Sequence, residues 1–476
     1  MKLRYILSAA MLSLTGMAFS QNLNSAYFLD GYAYGHEMNP AKDYDRSGYF
    51  SLPFLPGNLN ISSRGNLALT DVLLKNPNGP GLVTALHPSI SIDEALSNFS
   101  SNNKMLMDMR YDLISFGFHT KRAYHTVTLG LRANAGLNLP YELFDMLKNL
   151  QNKDYDFNRL GVSAQAWAEL AYGHSRNIND AIRVGGKFKI LLGAGYADIK
   201  MNNLRLNLEN PNEWTVNMNA TAEVGIKNYT WGETRTEEYK SHAGTYQEID
   251  FDNVDVKNPG INGAGAAIDL GVEWDLGKQG LVDGLKVGAA LNDLGFIRWK
   301  NVALAHNKGE EFHFTFKDDL KVKDSDGGKT LSQQFDEIGD RYSDLVSMQD
   351  GGVTSKVRML GATLNLSAEY KMPFYSKLKA GLLSTTRIQG KYSWNEERLG
   401  LTLSPCKWFE LSGNVGVGTV GASVGWVLNI HPRGFSLFAG MDYGVLKMTK
   451  QYIPKKSNAN LSLGINFPLG KSHVEN

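Results

Sequence analysis

The feature that most constrains this chain is an alternation of apolar and polar residues with period two, which puts successive side chains on opposite faces of a strand. Val127, Leu129, Leu131, Ala133, Ala135, Leu137 and Leu139 are apolar, and Thr128, Gly130, Arg132, Asn134, Gly136 and Asn138 lie between them. The same alternation runs from Leu160 to Tyr172, Ile182 to Tyr196, Val216 to Ile226, Ala266 to Leu276 and Leu360 to Tyr370. None of the apolar-face positions in these six segments is Asp, Glu, Lys or Arg, although such residues make up 20% of the chain. The other face carries Arg132, Glu169, Arg183, Lys187, Lys189, Glu223, Asp269, Glu273, Asp275 and Glu369. Soluble sandwich strands run about five or six residues, whereas a tilted membrane strand needs about nine to eleven, so segments of this length point to membrane crossing.

Further strand candidates are 59–69, 107–120, 285–299, 377–388, 399–404, 409–417, 421–430, 435–443 and 461–467. With the first six they make about fifteen segments, and an even count is expected of a closed barrel. The fold expected is therefore all-β: a transmembrane antiparallel barrel of about fourteen strands, within a range of about 12–16. Glycines on the polar face, such as Gly185, Gly193, Gly195, Gly361 and Gly440, suit the bends and close approaches of a curved sheet. Trp167, Trp274, Trp299, Tyr370, Trp408, Phe409, Tyr443 and Phe467 are candidates for the aromatic girdles at the two membrane surfaces.

The N-terminus has Lys2 and Arg4, an apolar run from Tyr5 to Met17, and Ala18-Phe19-Ser20 before Gln21. That is the pattern of an export signal, with cleavage expected near Ser20/Gln21 and the cell outer membrane as the destination. With the single cysteine Cys406, no internal disulfide is available to brace an exported chain. Residues 1–20 are thus read as signal peptide and 46–476 as barrel, with long loops near 228–259 and 302–356 where the alternation stops. Between Leu139 and Asn158, Leu143, Met146, Leu147 and Leu150 stand at helical spacing and predict a short amphipathic helix.

Near the mature N-terminus, Asn39-Pro40-Ala41 resembles the corresponding element of FadL/TodX-type hydrocarbon transporters of Gram-negative outer membranes. That resemblance implies a hatch-like segment, 21–45, inside a fourteen-stranded barrel. AYFLDGY, LGLRANAGLNLPYELFDMLK, LNDLGFIRW and NLSLGINFPLG more closely resemble an uncharacterised family of Bacteroidota outer-membrane barrels, distantly similar to those transporters. The chain departs from the usual pattern in continuing past Phe467 with PLGKSHVEN instead of ending on that aromatic residue.

Nothing points to catalysis. No GxSxG or SxxK motif is present, the ten histidines show no metal-ligand spacing, and Asp324, Asp326 and Gly328 depart from a calcium loop where a glycine is required. No cofactor and no metal are expected, and a net charge of +1 gives no basic surface for nucleic acid. The candidate binding residues are Asn39, Pro40 and Ala41 of the hatch, with Arg132, Arg183, Lys187, Glu223, Asp269, Glu273 and Glu369 on the lumen face. These charges either line a solute path or pair with one another, and pairing is the favoured expectation. Two functions remain open. One is a channel or transporter for small solutes, hydrophobic ones included; the alternative is a scaffold or secretion/surface-attachment accessory whose loops bind a protein partner. Outer-membrane lipid is the partner common to both.

Overall fold

The computed structural model describes residues 23–52, 58–67, 69–79, 81–149, 151–209, 214–231, 234–238, 244–249, 255–256, 260–307, 311–314, 348–419, 421–444 and 458–472. The export signal, Leu150 and the Asp324–Gly328 stretch lie outside these residues.

The described chain forms a closed antiparallel barrel of 14 strands. Strand β1 comes in two pieces (Arg46–Phe50 and Asn58–Gly65), followed by β2 (Asn102–His119), β3 (Ala123–Pro140), β4 (Gly161–Asn177) and β5 (Ile182–Asn207). Strand β6 is also split (Trp214–Ile226 and Gly263–Asp275), then come β7 (Leu285–His306), β8 in two pieces (Gln349–Met359 and Ala362–Lys371) and β9 (Leu378–Ile388). The circuit ends with β10 (Trp394–Cys406), β11 (Phe409–Gly418), β12 (Gly421–Ile430), β13 (Ser436–Met441) and β14 (Ala459–Ser472). Both pieces of β1 pair with β2 on one side and β14 on the other, so no edge is left open.

The split of β6 explains the count of fifteen segments. Its first piece pairs with the upper part of β5 and its second with the lower part, and both pair with β7 on their other side. Two sequence segments thus share one place in the wall. The expected loop 302–356 is also shorter than the alternation implied, because Val302–His306 extends β7 and Gln349–Lys356 belongs to β8.

The outward face is the apolar one. Phe188, Ile190, Leu192, Ile268, Leu270, Leu294, Leu382, Leu399, Leu401, Val415 and Val424 are exposed. Outward positions over 127–137, 162–172, 182–192, 264–274 and 362–370 carry no Asp, Glu, Lys or Arg. No helix among the described residues is long and apolar enough to cross a membrane. At the end of the barrel with short turns, Tyr172, Trp274, Tyr370, Phe374, Tyr375 and Trp408 form an exposed aromatic belt. Trp167, Trp299 and Tyr443 do not join it, contrary to expectation: they are buried inside. Trp299 lies flat against Gly193 and Gly263, where any Cβ would strike its ring.

One further parity correction has a local cause. A bulge opposite Ala166/Trp167 shifts the register of β5, so Tyr196 turns inward and is buried instead of continuing the lipid face. At the other end of the barrel, β5 (26 residues) and β7 (22 residues) run well past the length needed to cross. Their projecting parts build a cap with its own apolar core, in which Tyr155, Phe157, Leu206, Leu208, Trp231 and Met348 are buried. Of the apolar face expected at Val216–Ile226, Ala220, Ala222 and Val224 belong to this cap, packing in its core rather than against lipid. The predicted helix is Tyr141–Lys148, and it presents Met146 to the cap core and Phe144 to a separate apolar cluster, stacked on Phe99.

Candidate functional site: a plugged, charge-paired lumen

Residues Leu23–Asp45 lie inside the barrel and fill the half nearest the short turns. The segment brings its own apolar centre, with Tyr27, Phe28, Leu29, Tyr32, Tyr34 and Met38 buried together against Tyr49, Tyr124 and Phe438 of the wall. Tyr32 meets Phe438 edge-on at 5.0 Å, and Tyr34 meets Tyr49 at 5.4 Å.

The wall grips this plug by its backbone. Asp442, just after β13, accepts from the amides of Asn24 (2.9 Å) and Ser25 (2.7 Å). Glu410 on β11 accepts from the amides of Asp30 and Gly31, both at 3.0 Å. Asn292 on β7 and Asn365 on β8 both donate to the Met38 carbonyl, at 2.8 and 2.9 Å. Buried backbone groups in a segment with so little regular structure need such partners.

Asn39-Pro40-Ala41 forms a turn closed by Ala41 N–H donating to Asn39 Oδ1 at 2.9 Å, while Asn39 Nδ2 donates to the Val272 carbonyl at 3.2 Å. The turn rests on Gly185 and Gly271, which face each other across β5 and β6. A Cβ on Gly185 would overlap the Pro40 carbonyl and stand 2.6 Å from Ala41 N; one on Gly271 would overlap Asn39 Oδ1. Glycine is required there by the close approach of another backbone.

The lumen charges pair. Glu37 of the plug, buried, is held by Arg110, by Lys187 at 2.8 Å and by Thr128 at 3.4 Å. Burial pushes its carboxyl up, but Arg110 and Lys187 outweigh that and hold it well below the usual carboxylate range. Burial and the neighbouring Lys187 push the His36 imidazole down to about 3, so the ring is neutral. Lys187 Nζ can then donate to His36 Nδ1 at 3.1 Å, which leaves the ring proton on Nε2 to be given to Tyr49 Oη at 2.8 Å.

Arg132 bridges Asp112 (3.0 Å) and Glu169 (3.1 Å), and Asp112 also meets Arg110 at 3.3 Å. Asp269 accepts Lys189 at 2.8 Å, and Lys189 also reaches Asp293 at 2.6 Å. Arg183 binds Asp43 of the plug at 2.9 Å. Glu273 lies 3.7 Å from Lys42 of the plug, and Glu369 lies 3.4 Å from Lys379, which also holds Asp30 at 2.9 Å. Glu223 sits apart, toward the cap, with Tyr196 Oη at 3.0 Å and Lys356 at 3.3 Å.

The residues anticipated from sequence therefore all border the lumen, but in separate groups. Arg132 and Lys187 belong to one connected network, Asp269 to a second, and Glu273 and Glu369 to a third near the short turns. Sequence reasoning missed Glu37, Arg110, Asp112, Asp293, Glu410 and Asp442. In β2 the reason is a register shift between Asp112 and Ile114: Asp108, Arg110 and Asp112 point inward, yet Ile114, Phe116 and Phe118, at the same parity, point out. Strict alternation cannot follow a strand through such a bulge. No group of three or more His, Cys, Asp or Glu able to hold a metal occurs among the described residues.

Residues 40–442 match the model of a family described as "Family of unknown function (DUF5723)". The chain belongs to that family. No curated protein matches it. Among solved structures, a TodX deltaS2S3 mutant monoaromatic hydrocarbon channel shares 9% identity at a TM-score of 0.42, with 96% of each chain covered. A Pseudomonas aeruginosa FadL homologue shares 10% identity at a TM-score of 0.40, over 95% of this chain and 98% of that one. The Pseudomonas putida toluene transporter TodX shares 9% identity at a TM-score of 0.36, over 95% and 94%.

Proposed function

We propose that this family member is a gated outer-membrane barrel that passes small solutes, with Leu23–Asp45 as the gate. One observation carries the reading: the half of the lumen nearest the short turns is filled by a separate segment, Leu23–Asp45, which hydrogen bonds and ion pairs tie to the wall. The backbone hydrogen bonds to Glu410, Asp442, Asn292 and Asn365 can be exchanged for water at modest net cost when the segment moves. The short-turn end is assigned to the periplasm and the capped end to the exterior, following the usual asymmetry of such barrels. The charged lining favours a polar solute over the hydrophobic one that the transporter resemblance implies, because an apolar guest would desolvate these groups without replacing their partners.

The test is solute flux into proteoliposomes. Wild type should pass little, and the double variant Glu410→Gln, Asp442→Asn, which weakens two backbone grips on the plug, should pass at least several-fold more. Unchanged flux in a variant whose plug has demonstrably loosened would remove the transport reading. The cap, with its independent apolar core, favours the second reading of a membrane-held scaffold that presents loops to a partner, and that null result would leave it standing.

A further inference from the structure

Directly beyond the plug, the lumen holds a cavity of about 50 Å³ bordered by Asn24 of the plug and by side chains from β2, β3, β4, β7, β8 and β9. The bulge in β7 that leaves Asn292 and Asp293 without cross-strand partners in β6 places both in its wall, with Asp293 at φ 60°. Its charged members are already committed: Arg132 to Asp112 and Glu169, Arg110 to Glu37, Asp293 to Lys189 and Arg387, and Asp108 to Arg64 at 3.6 Å. Four neutral groups in the same wall have no partner within the described structure: Trp167 Nε1, Asn292 Oδ1, Asn365 Oδ1 and Thr385 Oγ1. All four residues are more than nine-tenths buried.

The orientation of the two amides is fixed by what they hold. Each donates through Nδ2 to the Met38 carbonyl, which can only accept, so neither can be flipped and each must keep Oδ1 turned away from that bond. The residues that line the cavity therefore carry two unpaired acceptors, one unpaired indole donor and one unpaired hydroxyl able to do either. Buried polar groups are rarely left in this condition.

We infer that this cavity is a binding site for a small neutral polar solute, of the size of glycerol or urea, with at least two hydrogen-bond donors and one acceptor. Donors on the solute satisfy Asn292 Oδ1 and Asn365 Oδ1, and an acceptor takes the Trp167 indole N–H. The space suits a few waters or one molecule of comparable size. A charged solute finds no unspent counter-charge, and a hydrocarbon leaves all four groups unsatisfied. Since the same two amides grip the plug through Met38, the site lies where occupancy and gate meet. This inference deepens the transport reading and rests on it for the solute's route, though not for its binding.

Binding of glycerol and of urea to the purified full-length protein in detergent is measured by saturation-transfer NMR, with toluene as the apolar comparison. Thr385→Val deletes one polar group at nearly constant shape, Trp167→Phe removes the indole N–H together with part of the ring, and both leave the plug contacts untouched. Heat-modifiable migration verifies that the variants form the barrel. Wild type should show saturable glycerol or urea binding, each variant should weaken it about tenfold, and toluene should fail to compete. Binding unaffected by both variants, displacement by toluene, or a crystal structure in which neither solute replaces ordered water would overturn the site. If binding follows the variants but flux is absent, the site stands and transport falls; flux indifferent to both variants leaves transport standing and refutes the site as its route.

Discussion

Replacing Gly185 by alanine should unseat the plug while sparing the barrel. The added Cβ would overlap the Pro40 carbonyl and lie 2.6 Å from Ala41 N. Both are backbone atoms of a turn, so neither can rotate aside, and the turn must retreat by about 1 Å to restore ordinary contact. That retreat takes the 3.2 Å bond from Asn39 Nδ2 to the Val272 carbonyl beyond useful range. Overpacking costs about 1–3 kcal/mol and a lost hydrogen bond about 1 kcal/mol, so docking should weaken by about 2–4 kcal/mol. At 1.4 kcal/mol per decade, the open population rises roughly thirtyfold to several-hundredfold. Hydrogen exchange on the purified protein reads this directly, through the plug amides of Gly35 and Met38, which are bonded within the segment. Gly186→Ala is the control, because its Cβ would meet nothing nearer than 3.7 Å. Plug protection unchanged by Gly185→Ala, or lost equally in Gly186→Ala, would refute the seating of the Asn-Pro-Ala turn on this wall.

Two other outcomes follow from the geometry. Burial outweighs the nearby His431 and Arg46 and raises the Asp45 carboxyl to about 6; its unfolded value is near about 3.9. The docked plug therefore takes up this proton first, so the contribution is fully present below about pH 4 and is lost as pH rises through about 6. Hydrogen exchange across 41–50, corrected for intrinsic rate, should show tighter docking at pH 4.5 than at pH 7 in wild type, with the difference reduced in Asp45→Asn; an unaltered difference in that variant would exclude Asp45 as its source. Ile190 faces outward between Leu170 and Ala266, so Ile190→Arg should cost about 2–4 kcal/mol of folding stability in lipid vesicles. A variant as stable as wild type in a urea titration would mean that this face does not meet hydrocarbon.

The barrel was legible because lipid imposes a rule on every second residue, and that rule survives over whole strands such as β3 and the lower part of β5. It fails where the lipid constraint ends. Above the membrane the same period serves the cap core, so Ala220 and Ala222 read as lipid-facing when they are interior. It also fails at bulges: Tyr196 changes face because one extra residue in β5 reverses parity. The lumen charges were readable singly, but not as networks, since Arg132 meets Glu169 from the neighbouring strand and Glu37 from a distant segment joins Arg110 and Lys187 only in three dimensions. The Gly185–Gly271 seat was half visible: glycine in a strand announces a close approach but not what approaches.

The character of the plug follows from where it must sit. A segment inside a wall whose inner face alternates with a lipid-facing one meets mostly polar side chains, so an all-apolar plug would strip those groups of water. This one places its aromatic residues together at its centre and turns backbone amides and Glu37 toward the wall. The two halves of that design differ in how readily they part. Amides leaving Glu410 and Asp442 regain water at modest net cost, whereas removing Glu37 from Arg110 and Lys187 separates buried charges. Opening therefore begins where the carboxylates cap the segment's first turns, Leu23 to Gly31, and the part around Glu37 is the last to leave.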